Sequence, residues 1–374
     1  MKFDYIPSKI YVDQKAIYDN LKVVRNLHPT KDILAVVKAD AYGHGIENVC
    51  EPAIKAGAVG FCVAYVDEAR MIRKLGYKEL ILVLGASEVQ ASKIAQKENI
   101  SLTAPSLKWL KEALKNLDPA SSKKLKVHLA LDTGMGRIGV TTLEELKKEI
   151  KFIEDNDNLF ELEGIFTHFA TADEGGNYYN YQKNKFVEMV KDFKDQVKYL
   201  HCENSAAGLI ESEDDFTNTI RLGIALYGIS PFLEKKKVTL NLKPALSLKS
   251  QISFIKEVPK GTKISYGATY SAPDDEYIAT VSIGYADGWL RRMQGFKVII
   301  DGKFCQNVGR ITMDQLMVRV PQKFPIGTEV VLIGEEGKNR ITAEEAADFA
   351  GTIPYEILTT LSKRVPRIAV NPVN

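Results

Sequence analysis

Residues 33–45 read Ile-Leu-Ala-Val-Val-Lys-Ala-Asp-Ala-Tyr-Gly-His-Gly, and the rest of the chain is best interpreted outward from them. Five aliphatic residues run directly into Lys38, which is typical of a strand buried on both faces. Lysine is rarely buried without a partner, because removing an ammonium group from water is costly. A lysine at the end of a core strand therefore suggests imine chemistry with an aldehyde, or else a side chain that reaches solvent.

The composition is that of an ordinary water-soluble protein with room for two domains. Of its 374 residues, 45% are hydrophobic and 26% are charged. The formal net charge of +2 argues against a nucleic-acid or membrane-surface partner. We see no apolar run long enough to span a bilayer and no signal peptide. The four cysteines form no C-x-x-C pair, so we expect reduced thiols, a cytoplasmic location and no metal site.

The first two thirds of the chain alternate short apolar runs with amphipathic stretches. Eight such runs, each followed by a helical pattern, predict a (β/α)8 TIM-type barrel, with an open doubly wound sheet as the alternative. Predicted helices include 143–155, capped by Thr142 and Glu145, and 181–196. The predicted strands are Ile33–Lys38, Val59–Ala64, Glu79–Leu84, Ile100–Ala104, Leu125–Leu131, Leu162–Thr167, Tyr199–Cys202 and Thr219–Leu222.

The pattern changes after Pro231, where a lysine-rich linker leads into a β-rich region. Residues 245–258 alternate, and Asp301-Gly302 between two apolar runs is a strong hairpin signal. Residues 341–361 predict one or two helices, divided near Pro354. We therefore expect a barrel domain over 1–235 and a mostly β domain over 236–374, with the first ten residues as candidates for pairing with the second domain.

The segment Gly134–Gly139 matches G-x-G-x-x-G but does not predict a dinucleotide site. In that motif the helix begins within the glycines, so that its N-terminus faces the pyrophosphate. Here Val140 and Thr141 intervene before Thr142, which caps the helix. The segment also follows the fifth apolar run rather than the first of a βαβαβ unit.

Polar residues gather where the predicted strands end, the face that carries active sites in such barrels. Loops after strands 7 and 8 often hold a phosphate there, and Ser205 and Gly223 offer a hydroxyl and a close backbone approach. A lysine beside a phosphate site suggests pyridoxal phosphate. The residues at this face are Lys38, Arg137, His168, Asn204, Ser205, Arg221, Gly223 and Ile224.

These motifs and those of the second domain together resemble the alanine racemase family. The resemblance implies a pyridoxal-phosphate enzyme with a barrel and a C-terminal β domain. It also implies a homodimer that supplies D-alanine for bacterial peptidoglycan. The matching segments, in the family's order, are Ala35–Gly45, Asp132–Gly139, Thr167–Asp173, His201–Ala207, Arg221–Pro231, Ser265–Tyr270, Ile283–Arg292 and Gly309–Gln315.

The resemblance implies a two-base mechanism. Lys38 would hold the cofactor as an aldimine and accept the proton of D-alanine, and Tyr266 of the partner subunit would accept that of L-alanine. A free tyrosine titrates near pH 10, so it needs help to act at neutrality. In the family, a network through His168 to Arg221 provides it. Arg221 would also bond the pyridine nitrogen, which limits transamination because a guanidinium only donates.

Further residues take binding roles through the same resemblance. Arg137, the backbone of Met313 from the partner subunit, and Tyr285 would serve the substrate. Asp173, Arg291 and Arg310 match positions at the active-site entrance, where charged surface is the competing interpretation. The phosphate group would be held by Tyr42, Ser205, Gly223, Ile224 and Tyr355.

One departure from the family pattern concerns Arg137. Many members carry a carbamylated lysine two residues before the aspartate of Asp-Thr-Gly-Met-Gly-Arg, and its negative charge orients the arginine. This chain has Ala130 there. A partly buried arginine needs a counter-charge, so we hypothesise a small anion, chloride, beside Arg137.

Three alternatives accompany this interpretation. A pyridoxal-phosphate decarboxylase on the same barrel would have an acidic residue in place of Arg221 and a cysteine in place of Tyr266. A non-catalytic pyridoxal-phosphate-binding protein would resemble the barrel alone. A racemase with a broader amino-acid range stays open, because pocket size depends on packing that the sequence does not display.

Overall fold

The computed structural model describes residues 5–210, 216–232 and 241–373. Within these ranges, eight parallel strands form one sheet, which confirms the predicted TIM-type barrel. The strands are buried because both faces are covered, so each reads as an apolar run. They are β2 (Asp32–Val36), β3 (Gly60–Val63), β4 (Leu80–Ala86), β5 (Ser101–Ala104), β6 (Leu125–Ala130), β7 (Phe160–Phe166), β8 (Tyr199–His201) and β9 (Thr219–Leu222), after a first strand β1 (Lys9–Asp13).

Helices lie between the barrel strands and pack outside them. Thr142 and Glu145 form the predicted capping box. The helix predicted over 181–196 instead spans 177–190 and is followed by a short 3-10 turn. The helices are α1 (Gln14–Leu27), α3 (Ile46–Lys55), α4 (Val66–Lys74), α5 (Ala91–Glu98), α6 (Leu107–Leu114), α7 (Leu143–Glu154), α8 (Asn177–Val190) and α9 (Ser205–Ile210), and the short segment α2 (Lys38–Tyr42) is a left-handed turn at the barrel end.

The barrel closes at a seam between β8 and β9. Backbone bonds cross it from Arg221 N to Glu203 O (3.1 Å) and from Asn218 N to Leu200 O (3.1 Å). Between β9 and residue 232, the described residues form a single 3-10 turn, Ile224–Tyr227, and no α-helix. Helix α1 packs against this turn, and Asn20 donates a hydrogen bond to Leu226 O (3.1 Å). Helix α1, which precedes the first barrel strand, thus packs where an eighth outer helix would otherwise lie.

The second domain is built around antiparallel strands, six of which form a closed ring in the order β17, β14, β15, β16, β13, β10. Strand β1 pairs with β10 and β19, so residues 9–13 belong to this sheet. Asp301 and Gly302 make the predicted hairpin with positive φ angles of 51° and 66°. The strands are β10 (Leu246–Val258), β11 (Lys263–Ile264), β12 (Tyr270–Ser271), β13 (Glu276–Val281), β14 (Lys297–Ile300), β15 (Lys303–Asn307), β16 (Leu316–Val320), β17 (Glu329–Glu336), β18 (Asn339–Ile341) and β19 (Arg367–Val370), with helices α10 (Ala343–Ala350) and α11 (Pro354–Thr359).

The division predicted between residues 235 and 236 lies in the range 233–240, outside the described residues, and stays a prediction. No helix in the described ranges has the length and apolar character needed to cross a membrane. In the same ranges, no group of three or more His, Cys, Asp and Glu side chains is arranged to hold a metal ion.

Candidate active site at the barrel mouth

The sequence predicted that Lys38 ends its strand, and this was wrong. Strand β2 stops at Val36, and Lys38 opens a short left-handed turn. The φ angles of Ala39, Asp40, Ala41 and Tyr42 all lie at 53–54°. This conformation costs roughly 1–2 kcal/mol for each non-glycine residue, so neighbouring contacts must impose it. The turn projects Lys38 from the barrel end instead of letting the strand continue.

Two carboxylates fix this left-handed turn. Glu68, at the start of α4, accepts hydrogen bonds from Ala39 N (2.6 Å) and Ala64 N (2.8 Å). Asp40 accepts one from Ile46 N (3.0 Å) at the start of α3. The turn is therefore anchored to two neighbouring helices.

The Lys38 amine is half-buried and makes no hydrogen bond or ion pair within the described residues. Burial lowers its pKa, and the positive charges of Arg137 and Arg221 lower the pKa further. A lysine with these properties is more readily deprotonated and nucleophilic than a surface lysine.

Arg221 is the buried cation of the site and sits at the barrel seam. Its Nη1 donates to His201 Nδ1 (2.6 Å) and His201 O (3.1 Å). Its Nη2 donates to Thr167 O (2.8 Å), Cys202 O (3.1 Å) and His168 Nδ1 (3.2 Å). The Nε–H is the donor left without a partner among the described residues, so a pyridine nitrogen would complete the set of five donors.

These contacts fix the state of His168. A guanidinium only donates, so Nδ1 of His168 must accept, and its ring proton lies on Nε2. Burial, followed by the charges of Arg221, Arg137 and Lys38, lowers its pKa to about 3. His168 is therefore a neutral imidazole that offers an Nε2–H donor.

A cradle of phosphate-binding character lies between the ends of β8 and β9. Ser205 Oγ accepts from Gly223 N (2.9 Å) and Ala225 N (3.3 Å). A methyl group on Gly223 would lie 2.9 Å from Tyr42 Oη and 3.6 Å from Ser205 Oγ. The Ile224 amide has no partner among the described residues. Hydroxyl groups and a free amide around a space that a single methyl would fill suit a phosphate.

Tyr355 joins this cradle from the second domain. Its ring centroid lies 6.0 Å from that of Tyr42, whose ring is 4.9 Å from Tyr227. Burial, with a contribution from Asp173, raises the pKa of Tyr355 to about 12, so its hydroxyl stays a donor at neutral pH. The residues predicted for phosphate are thus brought together.

Arg137 and His168 line one small cavity beside Ala130, with Leu131, Met135, Ile138 and Phe166. Arg137 itself is exposed in the single chain and forms no ion pair within the described residues. The chloride hypothesis assumed that Arg137 is partly buried, but in a single chain Arg137 is exposed. The space beside Ala130 is nevertheless a cavity, not tight apolar packing, and no carboxylate lines it.

Tyr266, Tyr285 and Met313 are not joined to the barrel mouth of their own chain by any hydrogen bond or ring contact in the described residues. They lie on loops of the second domain and are 70%, 42% and 54% exposed. Backbone bonds join the Tyr285 and Met313 loops, with Ala286 N donating to Met313 O (3.0 Å). This apolar and aromatic surface is left uncovered in one chain.

Arg310 lies beside Tyr266. A methyl on the neighbouring Gly267 would come within 2.8 Å of the Arg310 guanidinium, and Ser265 Oγ donates to Arg310 O (2.6 Å). Ser265, Gly267 and Ala268 all have positive φ angles. Arg310 therefore packs on the strained turn that presents Tyr266, whereas Arg291 is an exposed surface residue.

Three buried polar residues behind Arg221 were not singled out from the sequence as site residues: His201, His128 and Glu163. Each stands inside a strand that was predicted from its apolar neighbours. A polar residue within such a run must find a buried partner, and that signal could have identified all three.

Known proteins match the chain along nearly its whole length. The family models of the alanine racemase N-terminal and C-terminal domains match residues 12–231 and 245–369. The alanine racemase of Lacticaseibacillus casei is 46% identical over 375 residues, which is 99% of each chain. The crystal structure of the Bacillus anthracis alanine racemase has a TM-score of 0.93 and 44% identity, covering 98% of this chain and 95% of that one. A histidine racemase from Leuconostoc mesenteroides subsp. sake has a TM-score of 0.92 and 32% identity, covering 99% of each chain.

Proposed function

This chain belongs to the alanine racemase family, and from that premise we propose that it interconverts L-alanine and D-alanine with pyridoxal 5′-phosphate. The observation that carries the proposal is the convergence of three features at one barrel end. They are the unpaired amine of Lys38, the open Nε–H of Arg221 and the Ser205–Gly223 cradle. The product would supply D-alanine for bacterial peptidoglycan.

The residues at the barrel mouth fit the cofactor at its three recognisable ends. Lys38 would hold its aldehyde carbon covalently and Arg221 its pyridine nitrogen. Tyr42, Ser205, Gly223, Ile224 and Tyr355 would hold its phosphate. When bound, the cofactor supplies an electron sink that makes the α-hydrogen of an amino acid acidic. Because the donor-only guanidinium of Arg221 would keep the pyridine nitrogen unprotonated, we expect that sink to be limited and transamination to be slow.

Lys38 would work on one face of the substrate. Its lowered pKa leaves more of the amine unprotonated, so Nζ can accept the α-proton of D-alanine. In the opposite direction, from L-alanine, the protonated amine would donate a proton to this same face. Proximity to Arg137 and Arg221 favours the neutral amine further.

Tyr266 of the partner subunit would work on the opposite face, accepting the α-proton of L-alanine at Oη. His168 would assist, because its Nε2–H can donate to the phenolate oxygen and so lower the pKa of that tyrosine. The help comes from a neutral donor whose other nitrogen is bonded to Arg221, not from an imidazolium ion.

Arg137 and the Met313 backbone of the partner subunit would hold the substrate carboxylate, with Tyr285 beside them. Among the described residues, Arg137 has no carboxylate partner and the Met313 amide has no acceptor. Shared sites require a homodimer, and the exposure of Tyr266 and Met313 is consistent with a surface that a second copy covers.

We further propose chloride in the cavity beside Ala130, where it would orient Arg137. Crystals grown with bromide in place of chloride test this idea through anomalous scattering. An anomalous peak within contact of the Arg137 guanidinium is expected, and electron density for water or side chains alone there would contradict the proposal.

The activity is tested by incubating the holoenzyme with each alanine enantiomer in deuterated water. Chiral chromatography and mass spectrometry should show inversion with deuterium at Cα. Lys38→Ala should abolish both directions. Tyr266→Phe should slow inversion in both directions, because each direction needs both bases, and should chiefly slow α-deuterium exchange that starts from L-alanine. Tyr181→Phe, another exposed tyrosine, should change neither. Exchange without inversion in the unmodified enzyme, or release of carbon dioxide, would contradict the proposal.

A broader amino-acid racemase is the second candidate, favoured by the structural similarity to a histidine racemase. The same deuterium assay with serine and histidine separates the two. Rates for these substrates close to that for alanine would favour the broader enzyme.

A further inference from the structure

A continuous chain of buried hydrogen bonds runs from Arg221 through adjacent barrel strands to a carboxylate. Arg221 Nη1 contacts His201 Nδ1 at 2.6 Å, and His201 Nε2 contacts His128 Nδ1 at 2.9 Å. His128 Nε2 then contacts Glu163 Oε2 at 3.2 Å. All four side chains are at most 3% exposed.

The donors in this chain can point in one direction only. Arg221 has no acceptor, so His201 must accept at Nδ1 and carry its proton on Nε2. That proton is donated to His128 Nδ1, which leaves the proton of His128 on Nε2, facing Glu163. Every N–H therefore points from the cation toward the anion, an arrangement in which successive bonds polarise one another.

The two ends of this series of hydrogen bonds, Arg221 and Glu163, carry opposite charges. Burial raises the pKa of Glu163, but hydrogen bonds from His128 and Ser101 and the charge of Lys126 outweigh it, so the net pKa falls to about 2. Burial, followed by the charge of Arg221, lowers the pKa of His201 far below its usual value. His201 thus stays neutral between an anion and a cation.

Neighbouring residues pack closely around His128, His201 and Glu163. A methyl on Gly164 would lie 2.4 Å from His128 Nδ1, so this glycine leaves room for the imidazole. The ring of Phe166 stacks on His201 at 5.1 Å, and the Arg221 guanidinium lies 5.4 Å from the same Phe166 ring. Ser101 Oγ donates to Glu163 Oε2 at 2.5 Å, which satisfies the carboxylate from another strand.

We propose that Glu163, His128 and His201 are positioning residues that fix the orientation of the Arg221 guanidinium from behind. We call these three residues the relay. By holding Nη1, the relay directs the Nε–H of Arg221 toward the barrel mouth. Glu163 also balances part of the Arg221 charge. The inference rests on the proposed function in one respect: it makes this relay a determinant of racemisation over transamination.

The proposal is tested first on protein without cofactor, by nitrogen-15 NMR of uniformly labelled histidine. The chain has five histidines, so the signals can be assigned by substitution. In the unmodified protein, His128 and His201 should each show a single tautomer protonated at Nε2. Glu163→Gln should alter the signals of both rings, because the charged acceptor at the end of the chain is lost.

Two further variants control for nonspecific effects of the substitution and for poor folding of Glu163→Gln. Glu161→Gln changes an exposed carboxylate on the same strand and should leave all histidine signals unchanged. Ser101→Ala keeps the Glu163 carboxylate but removes a hydroxyl that donates to it, so it should shift the Nε2 signal of His128 even if Glu163→Gln folds poorly.

The second readout is the fate of alanine on the holoenzyme. Glu163→Gln should lower kcat about tenfold with KM little changed and raise the fraction of turnovers that yield pyruvate. Unchanged histidine signals and an unchanged pyruvate fraction in Glu163→Gln would overturn the relay while leaving racemase activity intact. An unmodified enzyme that fails to racemise alanine would overturn the proposed function, whereas the NMR result would still decide the relay.

Discussion

At the scale of single residues, the site depends on groups that have no partner in the described part of the chain. The amine of Lys38, the Nε–H of Arg221 and the Ile224 amide each point to an external ligand, while the other donors of Arg221 are satisfied. Buried polar groups are normally paired, so three unpaired donors that meet at one barrel end indicate where a ligand binds.

Gly223 should be essential for cofactor affinity. Gly223→Ala places a methyl 2.9 Å from Tyr42 Oη, where the phosphate cradle lies. Overpacking of this kind costs roughly 1–3 kcal/mol, so the dissociation constant for pyridoxal phosphate should rise at least about fivefold. Titration of the cofactor-free protein by absorbance measures it. Gly76→Ala adds a methyl that meets no atom; its φ of 98° strains the backbone locally, but the variant should bind the cofactor normally. Equal affinity of both variants would contradict the cradle.

Glu149 should make stability depend on pH. Both of its carboxylate oxygens are buried without a partner, and burial, aided by Glu145, raises its pKa to about 8. The folded state therefore keeps a proton that the unfolded chain loses near pH 4.5, so stability is lost as pH rises between these values.

Glu149→Gln should remove this loss. At pH 9 the variant should be more stable than the unmodified protein by roughly 1–3 kcal/mol in urea unfolding, and near pH 5 the two should be similar. Glu144→Gln, an exposed position on the same helix, should have no such effect. A stability difference that does not grow with pH would contradict the buried state of Glu149.

At the scale of elements, the left-handed turn over residues 39–42 positions Lys38. Its strain is offset by the hydrogen bonds of Glu68 and Asp40 to backbone amides. Tyr227 also donates to Val36 O at 2.8 Å, which fixes the end of β2. The turn is thus held from three neighbouring elements.

Removing the Glu68 carboxylate should loosen this turn. Glu68→Ala leaves three backbone amides without their acceptor, so the free energy of unfolding should fall by roughly 1–3 kcal/mol. The rate at which Lys38 combines with added cofactor, followed by absorbance, should fall as well. Asp67→Ala, on the same helical turn but 94% exposed, provides the control. If Lys38 of Glu68→Ala combines with the cofactor as fast as in the unmodified protein, the turn does not position Lys38.

The elements also show what the sequence could and could not predict. The eight barrel strands were found because burial on both faces makes them apolar runs. The end of α8 was placed too late because no glycine or proline follows Val190. The left-handed turn was missed because Ala-Asp-Ala-Tyr carries no local signal for positive φ, and tertiary contacts impose it. The relay was missed because its members meet only when four strands assemble.

At the scale of the whole molecule, the two domains share one packing surface. A methyl on Gly43 would lie 2.2 Å from Leu358 O, and Arg367 Nε donates to Gly43 O at 3.0 Å. The second domain thereby supplies Tyr355 to the cradle of its own chain. Tyr266 and Met313, by contrast, lie exposed and form no hydrogen bond or ring contact with that cradle among the described residues, so one chain holds half of the proposed machinery.

The most direct test of this account is the recovery of activity in mixed dimers. Lys38→Ala and Tyr266→Phe chains carrying different tags are co-expressed, and dimers bearing both tags are isolated. Each variant alone should be strongly impaired, whereas a mixed dimer contains one site with both bases. We predict about half of the racemisation rate of the unmodified dimer, because one of two equivalent sites is intact. Mixed dimers that bind cofactor but recover no activity would contradict a site shared between Lys38 of one chain and Tyr266 of the other.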